Sequence, residues 1–231
     1  MSLIAHAITA APAAAFERRG LRGRPLSASE ADGLLVWTTE WESGTRLERD
    51  DAFDHHSVVE LICCAQPCLP VRFGTVFESD AAARDAIGPK ASELRAALTR
   101  VSGMSELAIT LLWRDKPAAP EAPPTPAGEL GPGRRFMEDR RARQTGLARR
   151  RLRAEELAER LVAELAVDRA LVWHEICTTE DVAVSLAALV PTERSVERKR
   201  ELETFIDSGG FADVIGVVNG PWPPYSFAKI E

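Results

Sequence analysis

Nowhere does this sequence hold the roughly 20 consecutive apolar residues that a membrane-spanning helix needs. It has no Walker glycine-lysine loop and no dinucleotide fingerprint; the nearest stretch, "GLRGRP", matches neither. There is no GxSxG elbow and no HExxH pair, so two common hydrolase chemistries lack their residues. Cysteine is scarce: Cys63, Cys64, Cys68 and Cys177. Metal sites use CxxC pairs or spaced Cys and His, which "CCAQPC" does not supply. These cysteines read as buried, reduced, small apolar side chains. The net charge of −6 argues against a protein that coats nucleic acid.

The opening "MSLIAHAITAAPAAAFERRG" has an apolar run but no basic n-region, and His6 and Thr9 interrupt it. It reads as a first strand rather than a signal peptide, and the expected location is the cytoplasm. What is present suits an ordinary globular protein: 45% hydrophobic and 28% charged residues. The length allows one large or two small domains.

Strands are expected at 2–9 and 33–41, with a turn-rich irregular stretch between them. Asp50 or Asp51 caps a helix to about Ala65, with Val58, Val59 and Ile62 on its apolar side. "CLPVRFGTVF", 68–77, reads as a strand, with Gly74 as a bulge or close approach. Ser79 or Asp80 caps the next helix, in which Ile87, Ala91, Leu94, Leu98 and Val101 form one stripe. Gly88–Pro89 bends it and Gly103 stops it.

In the second half, Leu107, Ile109, Leu111 and Trp113 alternate along one strand face. A long helix runs from about Arg134 to Ala166, striped by Leu147, Ala154, Leu157, Leu161 and Leu165. Strands follow at 168–177 and 181–190, then a helix from Thr192 or Ser195 to Ser208, then a last strand from Phe211. The order β-α-β-β-α-β is the ferredoxin-like unit. The expected fold class is therefore α+β with two domains. The first is residues 1–103. The second, 104–231, is ferredoxin-like, a four-stranded antiparallel sheet with helices on one face. The Pro-rich stretch at 116–133 then falls inside the second domain as an insertion.

Three features invite a chemical reading. His55–His56 is a tempting pair, but neighbours on a helix point about 100° apart and do not share one metal easily. Hydrogen bonding at the helix is the ordinary role. His174, in a strand, reads as a satisfied structural histidine. From Arg134 to Arg153 there are nine arginines and two acids, giving a local charge of about +7. Arg134, Arg135, Arg140 and Arg141 form a candidate basic docking face for an acidic protein surface. A solvated helix balanced by Glu155, Glu156 and Glu159 is the plain alternative. Nucleic acid is disfavoured, since no aromatic platform for bases interleaves the arginines.

Two stretches stand out as specific. "LPVRFGTVF" at 69–77 is preceded by "HHSVVELI" and followed by "SGMSELAITLLW"; "GPWPPYSF" at 220–227 lies near the C-terminus. With "GPGRRFMEDRRAR" between them, they resemble the gas vesicle protein GvpL/GvpF family over almost the whole chain, more weakly in the first fifty residues. The resemblance implies two α+β domains, the second ferredoxin-like. It implies a minor structural or assembly protein of gas vesicles that binds the hydrophobic shell protein GvpA and other accessory proteins, and is placed at the vesicle. No catalysis, cofactor, metal or membrane is implied. The candidate structural or partner-contact residues are Pro70, Arg72, Phe73, Gly74, Gly220, Trp222, Pro223, Pro224, Tyr225 and Phe227. The alternative is a ferredoxin-like small-molecule-binding protein or enzyme using His55 or His56. The three prolines stiffen the C-terminal segment and stop further strand pairing, so its aromatics are expected to lie back over the second domain.

Overall fold

The structure is a computed structural model that describes residues 1–17, 19–114, 132–165, 171–177, 179 and 181–228. The Pro-rich insertion lies, up to residue 131, outside the described residues. No helix among the described residues is long and apolar enough to cross a membrane.

The chain divides into two compact units. The first takes Met1–Glu106, Leu189–Ser195 and Gly220–Glu231; the second takes Leu107–Ala188 and Val196–Asn219. The C-terminal segment therefore belongs with the first unit, not with the second, where the sequence had placed it.

In the first unit, β1 (Ser2–Ala10) is central in a sheet of order β2-β3-β1-β4. The stretch expected to be irregular contains a strand, β2 (Leu26–Ala31), which forms a hairpin with β3 (Leu34–Trp41). Its two-residue turn is Asp32–Gly33, both at positive φ, 52° and 71°. Asp-Gly is a favoured pair for such turns because both residues tolerate that region. The register between β1 and β3 shifts between Ala5 and Ala7, a bulge at His6. Bulges re-aim side chains, and His6 is fully buried.

α1 spans Arg49–Ala65. Its N-cap is Glu48, two or three residues earlier than expected, and Asp51 sits inside it as the third helical residue, accepting the Glu48 N–H at 2.7 Å. Asp51, His55, Val58, Val59 and Ile62 are its buried residues, spaced as a single helical stripe. The apolar ones pack with Ala7, Leu26, Leu35, Trp37 and Cys68.

The single strand expected at 68–77 is two short ones, β4 (Cys68–Pro70) and β5 (Val76–Phe77), each paired with β1. Between them the Thr75 N–H and Oγ–H both reach the Arg72 carbonyl, and Gly74 takes φ 85°. That closes a turn no continuous strand can contain. α2 (Asp80–Ile87) is capped by Ser79, which accepts from the Ala82 N–H. Gly88–Lys90 makes a 3-10 turn, and α3 (Ala91–Val101) buries Ala91, Leu94, Ala97, Leu98 and Val101.

The second unit takes α4 (Pro132–Leu165), β7 (Val172–Ile176) and most of β6 (Met104–Trp113), β8 (Val182–Pro191), α5 (Ser195–Ser208) and β9 (Val214–Trp222), whose ends at Met104–Glu106, Leu189–Pro191, Ser195 and Gly220–Trp222 belong to the first. The sheet order is β7-β8-β6-β9, the ferredoxin-like arrangement. Leu107, Ile109 and Leu111 alternate into its core, joined by Ala154, Leu157, Ala158, Leu161 and Leu165 of α4 and by Leu202 and Ile206 of α5. Leu147 does not join them: it is 56% exposed. β9 continues through Pro221 and Trp222 despite the prolines, because an edge strand has one side free of ladder bonds. His174 is exposed rather than packed.

Arginines fasten α4 to this unit from Arg153 onward. Arg153 makes a two-pronged pair with Asp213 at 2.9 Å on each prong and also reaches the Gly210 carbonyl at 2.6 Å and Glu156 at 2.9 Å. Hydrogen bonding to Arg153 holds the Asp213 carboxyl below its usual range. Arg160 donates to the Gly209 and Gly210 carbonyls. Arg198 caps the end of α4 through the carbonyls of Glu164 and Leu165.

Candidate functional site

The two sequence motifs meet α1 at its adjacent histidines. The roughly 100° between neighbouring helical side chains lets each ring serve a different segment.

His55 faces inward and is 2% exposed. Its Nε2 lies 3.0 Å from the Val71 carbonyl, which can only accept, so Nε2 carries the proton. In a neutral ring Nδ1 is then the acceptor, and it lies 3.0 Å from His6 Nδ1. His6 must therefore donate from Nδ1 and accept at Nε2, where Thr39 Oγ is 2.8 Å away. Thr39 gives its proton to His6 and accepts the Leu21 N–H at 3.1 Å. Every ring nitrogen in this line has one role, and each role requires both rings to be neutral. Burial, and then the neighbouring His55, lower the His6 pKa to about 3. Burial chiefly lowers that of His55, with the Val71 bond opposing.

The "LPVRFGTVF" motif is held from this line. Pro70 pairs with Ala7 across the sheet, the Val71 carbonyl accepts the His55 Nε2–H, and the Phe73 ring meets the His55 ring edge-on at 5.4 Å. The Arg72 side chain is exposed. Asp51, one turn before His55, is buried and takes Arg22 in a two-pronged pair at 2.6 and 2.7 Å. That hydrogen bonding keeps its carboxyl below the ordinary range.

His56 serves the other motif. Its Nδ1 accepts from the Tyr225 hydroxyl at 2.9 Å, and its Nε2 lies 3.4 Å from Glu60. The Trp222 ring meets it edge-on at 5.2 Å. Gly220, at φ 116°, precedes a cis peptide to Pro221. Pro223, Pro224 and Phe227 are buried, and Tyr225–Phe227 closes in a 3-10 turn. The Ser226 N–H and hydroxyl both bond the buried Glu106 carboxylate, at 2.7 and 2.8 Å. Burial, and then Glu60 and Glu106, push the Tyr225 hydroxyl pKa upward. The aromatics do lie back as a strap, but over the first unit.

Beside the strap is an open groove of about 840 Å³ within the first unit. Leu61, Cys64, Val101, Met104, Pro221 and Trp222 are among its lining residues. Cys63 and Cys68, also among its lining residues, are joined as a disulfide; Cys64 is exposed and Cys177 half-buried. The expectation of four reduced, buried cysteines is corrected here. The Gln66–Pro67 corner brings the Cys63 and Cys68 Cα atoms to 5.2 Å, within bonding range.

Among the described residues no three His, Cys, Asp or Glu converge in a way that could hold a metal ion. Arg140 and Arg141 are exposed, while the side chains of Arg134 and Arg135 lie outside the described set. Sequence reasoning missed His6, Thr39 and Glu106. The signal was there for His6: a histidine inside an apolar strand needs a buried partner.

By fold this is a two-unit α+β protein whose second unit is ferredoxin-like. The likeness to solved structures agrees. Gas vesicle protein GvpF from Microcystis aeruginosa superposes with a TM-score of 0.75 at 19% identity, covering 99% of each chain. GvpF from Anabaena sp. PCC7120 gives 0.75 at 21% identity, covering 100% of this chain and 97% of that one. The family described as "Gas vesicle synthesis protein GvpL/GvpF" matches residues 3–229, and the chain belongs to that family. Gas vesicle protein L2 of Halobacterium salinarum is 30% identical over 182 residues. That match covers 69% of this chain and 63% of the relative's length.

Proposed function

We propose that this chain is a cytoplasmic accessory protein of gas vesicle formation that binds the hydrophobic shell protein GvpA, and other accessory proteins, while the vesicle is built. Family membership over residues 3–229 carries this reading. A shell subunit presents large apolar surfaces before it polymerises, and such surfaces aggregate unless covered. The groove beside Trp222 supports the reading: it is apolar, open and bounded by exposed Leu61 and Trp222. An apolar helix or strand of the shell protein laid into it would be shielded from water. No catalytic step is part of this role; His55 and His56 hold the two motifs in place.

The test is co-expression with the shell protein followed by affinity capture. The native chain is expected to bring the shell protein down in soluble form. Trp222→Ala with Leu61→Ser is expected to weaken capture about tenfold, as loss of an apolar anchor does, without unfolding the chain. Absence of any complex, together with normal vesicles in a deletion strain, overturns the proposal.

A further inference from the structure

α4 is two different helices in one. At 34 residues it is about 50 Å long, yet among its described side chains the buried positions begin only at Ala154. From Met137 to Leu152 the described side chains are exposed, apart from half-buried Arg150, whose guanidinium lies over Trp113 at 4.9 Å. The sequence has no acid between Arg140 and Ala154. Among the described side chains, the first i,i+4 ion pair on this stretch is Arg151–Glu155, at 3.0 Å.

Such a stretch is poorly supported as a helix. Helices in proteins owe most of their stability to packing on one face. Gly146 costs up to about 1 kcal/mol relative to alanine, and like charges at i,i+4, such as Arg149 and Arg153, repel. A partner that supplies anions and an apolar strip would relieve both defects.

The apolar residues on this stretch say which partner. Met137, Leu147 and Leu152 are 50%, 56% and 67% exposed. At about 100° per residue they fall within one arc of about 140°. Arg140, Arg141 and Arg151 fall inside the same arc. Phosphates alone would leave the leucines unused, and no aromatic lies between Met137 and Leu152 for bases to stack on. A lipid surface calls for an apolar face separated from the basic one, whereas here the two are interleaved. Alternating leucine and carboxylate on an amphipathic helix fits this surface.

We propose that the face of α4 carrying Met137, Arg140, Arg141, Leu147, Arg151 and Leu152 is a docking surface for an acidic amphipathic helix of a partner protein, a site separate from the groove of the first unit. The native chain is titrated with a synthetic helical peptide carrying leucine at its core positions and glutamate flanking them. A scrambled peptide of the same composition, single-stranded oligodeoxythymidine and phosphatidylserine vesicles serve as comparisons. The ordered peptide is expected to bind about tenfold or more tighter than the scrambled one. R140S/R141S/R151S is expected to lower its affinity about tenfold at low salt and to flatten the salt dependence. L147S/L152S is expected to lower affinity about fivefold with the salt dependence unchanged. All five positions are exposed, and retained helicity by circular dichroism shows the variants intact. Equal binding of the scrambled peptide, tighter binding of oligonucleotide or vesicles, or no binding of the ordered peptide overturns the proposal. None of these outcomes bears on capture of the shell protein through the groove.

Discussion

The two units solve the problem of an interior in opposite ways. The buried polar residues among the described ones are His6, Thr9, Ser29, Thr38, Thr39, Asp51, His55, Glu106 and Ser195, and all belong to the first unit. The core of the second is aliphatic, with Phe211, and its ion pairs sit at the rim around Arg153 and Arg198. A hydrogen-bonded interior fixes one arrangement, because each donor has one acceptor and a mismatch costs more than a poor apolar contact. It also ties the first unit to proton activity in a way that leucine cannot. The unit with the polar interior is the one that receives the two family motifs.

That contrast can be broken by experiment. The largest effect is expected from deleting Trp222–Glu231, which removes Tyr225 and buried Phe227. Burial of each such side chain is worth about 1.5–3 kcal/mol, so the first unit should lose several kcal/mol. Hydrogen exchange read by segment should show faster exchange in α1, β4 and the Met104–Glu106 end of β6, with α4 and β7 unchanged; equal loss in both units would erase the contrast.

Leu161→Ala comes next. Leu161 is fully buried, and such truncations cost about 2–5 kcal/mol. The loss should appear in the second unit and be the same at pH 8 and pH 5 by denaturant titration.

Third is acid. His6 and His55 are neutral when folded and titrate near 6.5 when unfolded. Below that pH the unfolded chain binds more protons, so stability falls as pH drops from about 6.5 towards 3. His6 alone should cost the first unit about 2 kcal/mol by pH 5. His6→Asn should flatten that slope even though it weakens the unit at pH 8. Asp51 acts lower: its depressed pKa supports the unit above about pH 4 and fails below.

The smallest effect is Tyr225→Phe, which removes the bond to His56 and keeps the ring. A cost of about 1 kcal/mol is expected, with shell-protein capture unaffected in the reading where Trp222 makes the contact.

Legibility in the sequence tracked the same contrast. The second unit was readable because its strands alternate and its helices carry a stripe: Leu107, Ile109 and Leu111, then Ala154, Leu157, Leu161 and Leu165. β2 was missed because "LSASEA" buries only Leu26 and Ser29, too little for a periodicity, although Asp32–Gly33 marked its hairpin. The His55–His56 pair could be seen, but not its work, since its partners are 49 and 169 residues away. The continuous strand expected at 68–77 failed at Gly74, where the backbone turns.

By itself the sequence determined the element order of the ferredoxin-like unit, the family and the two motifs, since period, turn chemistry and short specific strings are local properties. Only the tertiary structure decided where "GPWPPYSF" goes. Proline and glycine set the stiffness of that segment. Its destination depended on which unit offered a histidine to Tyr225, a carboxylate to Ser226 and an apolar bed to Phe227, and no local signal carries that.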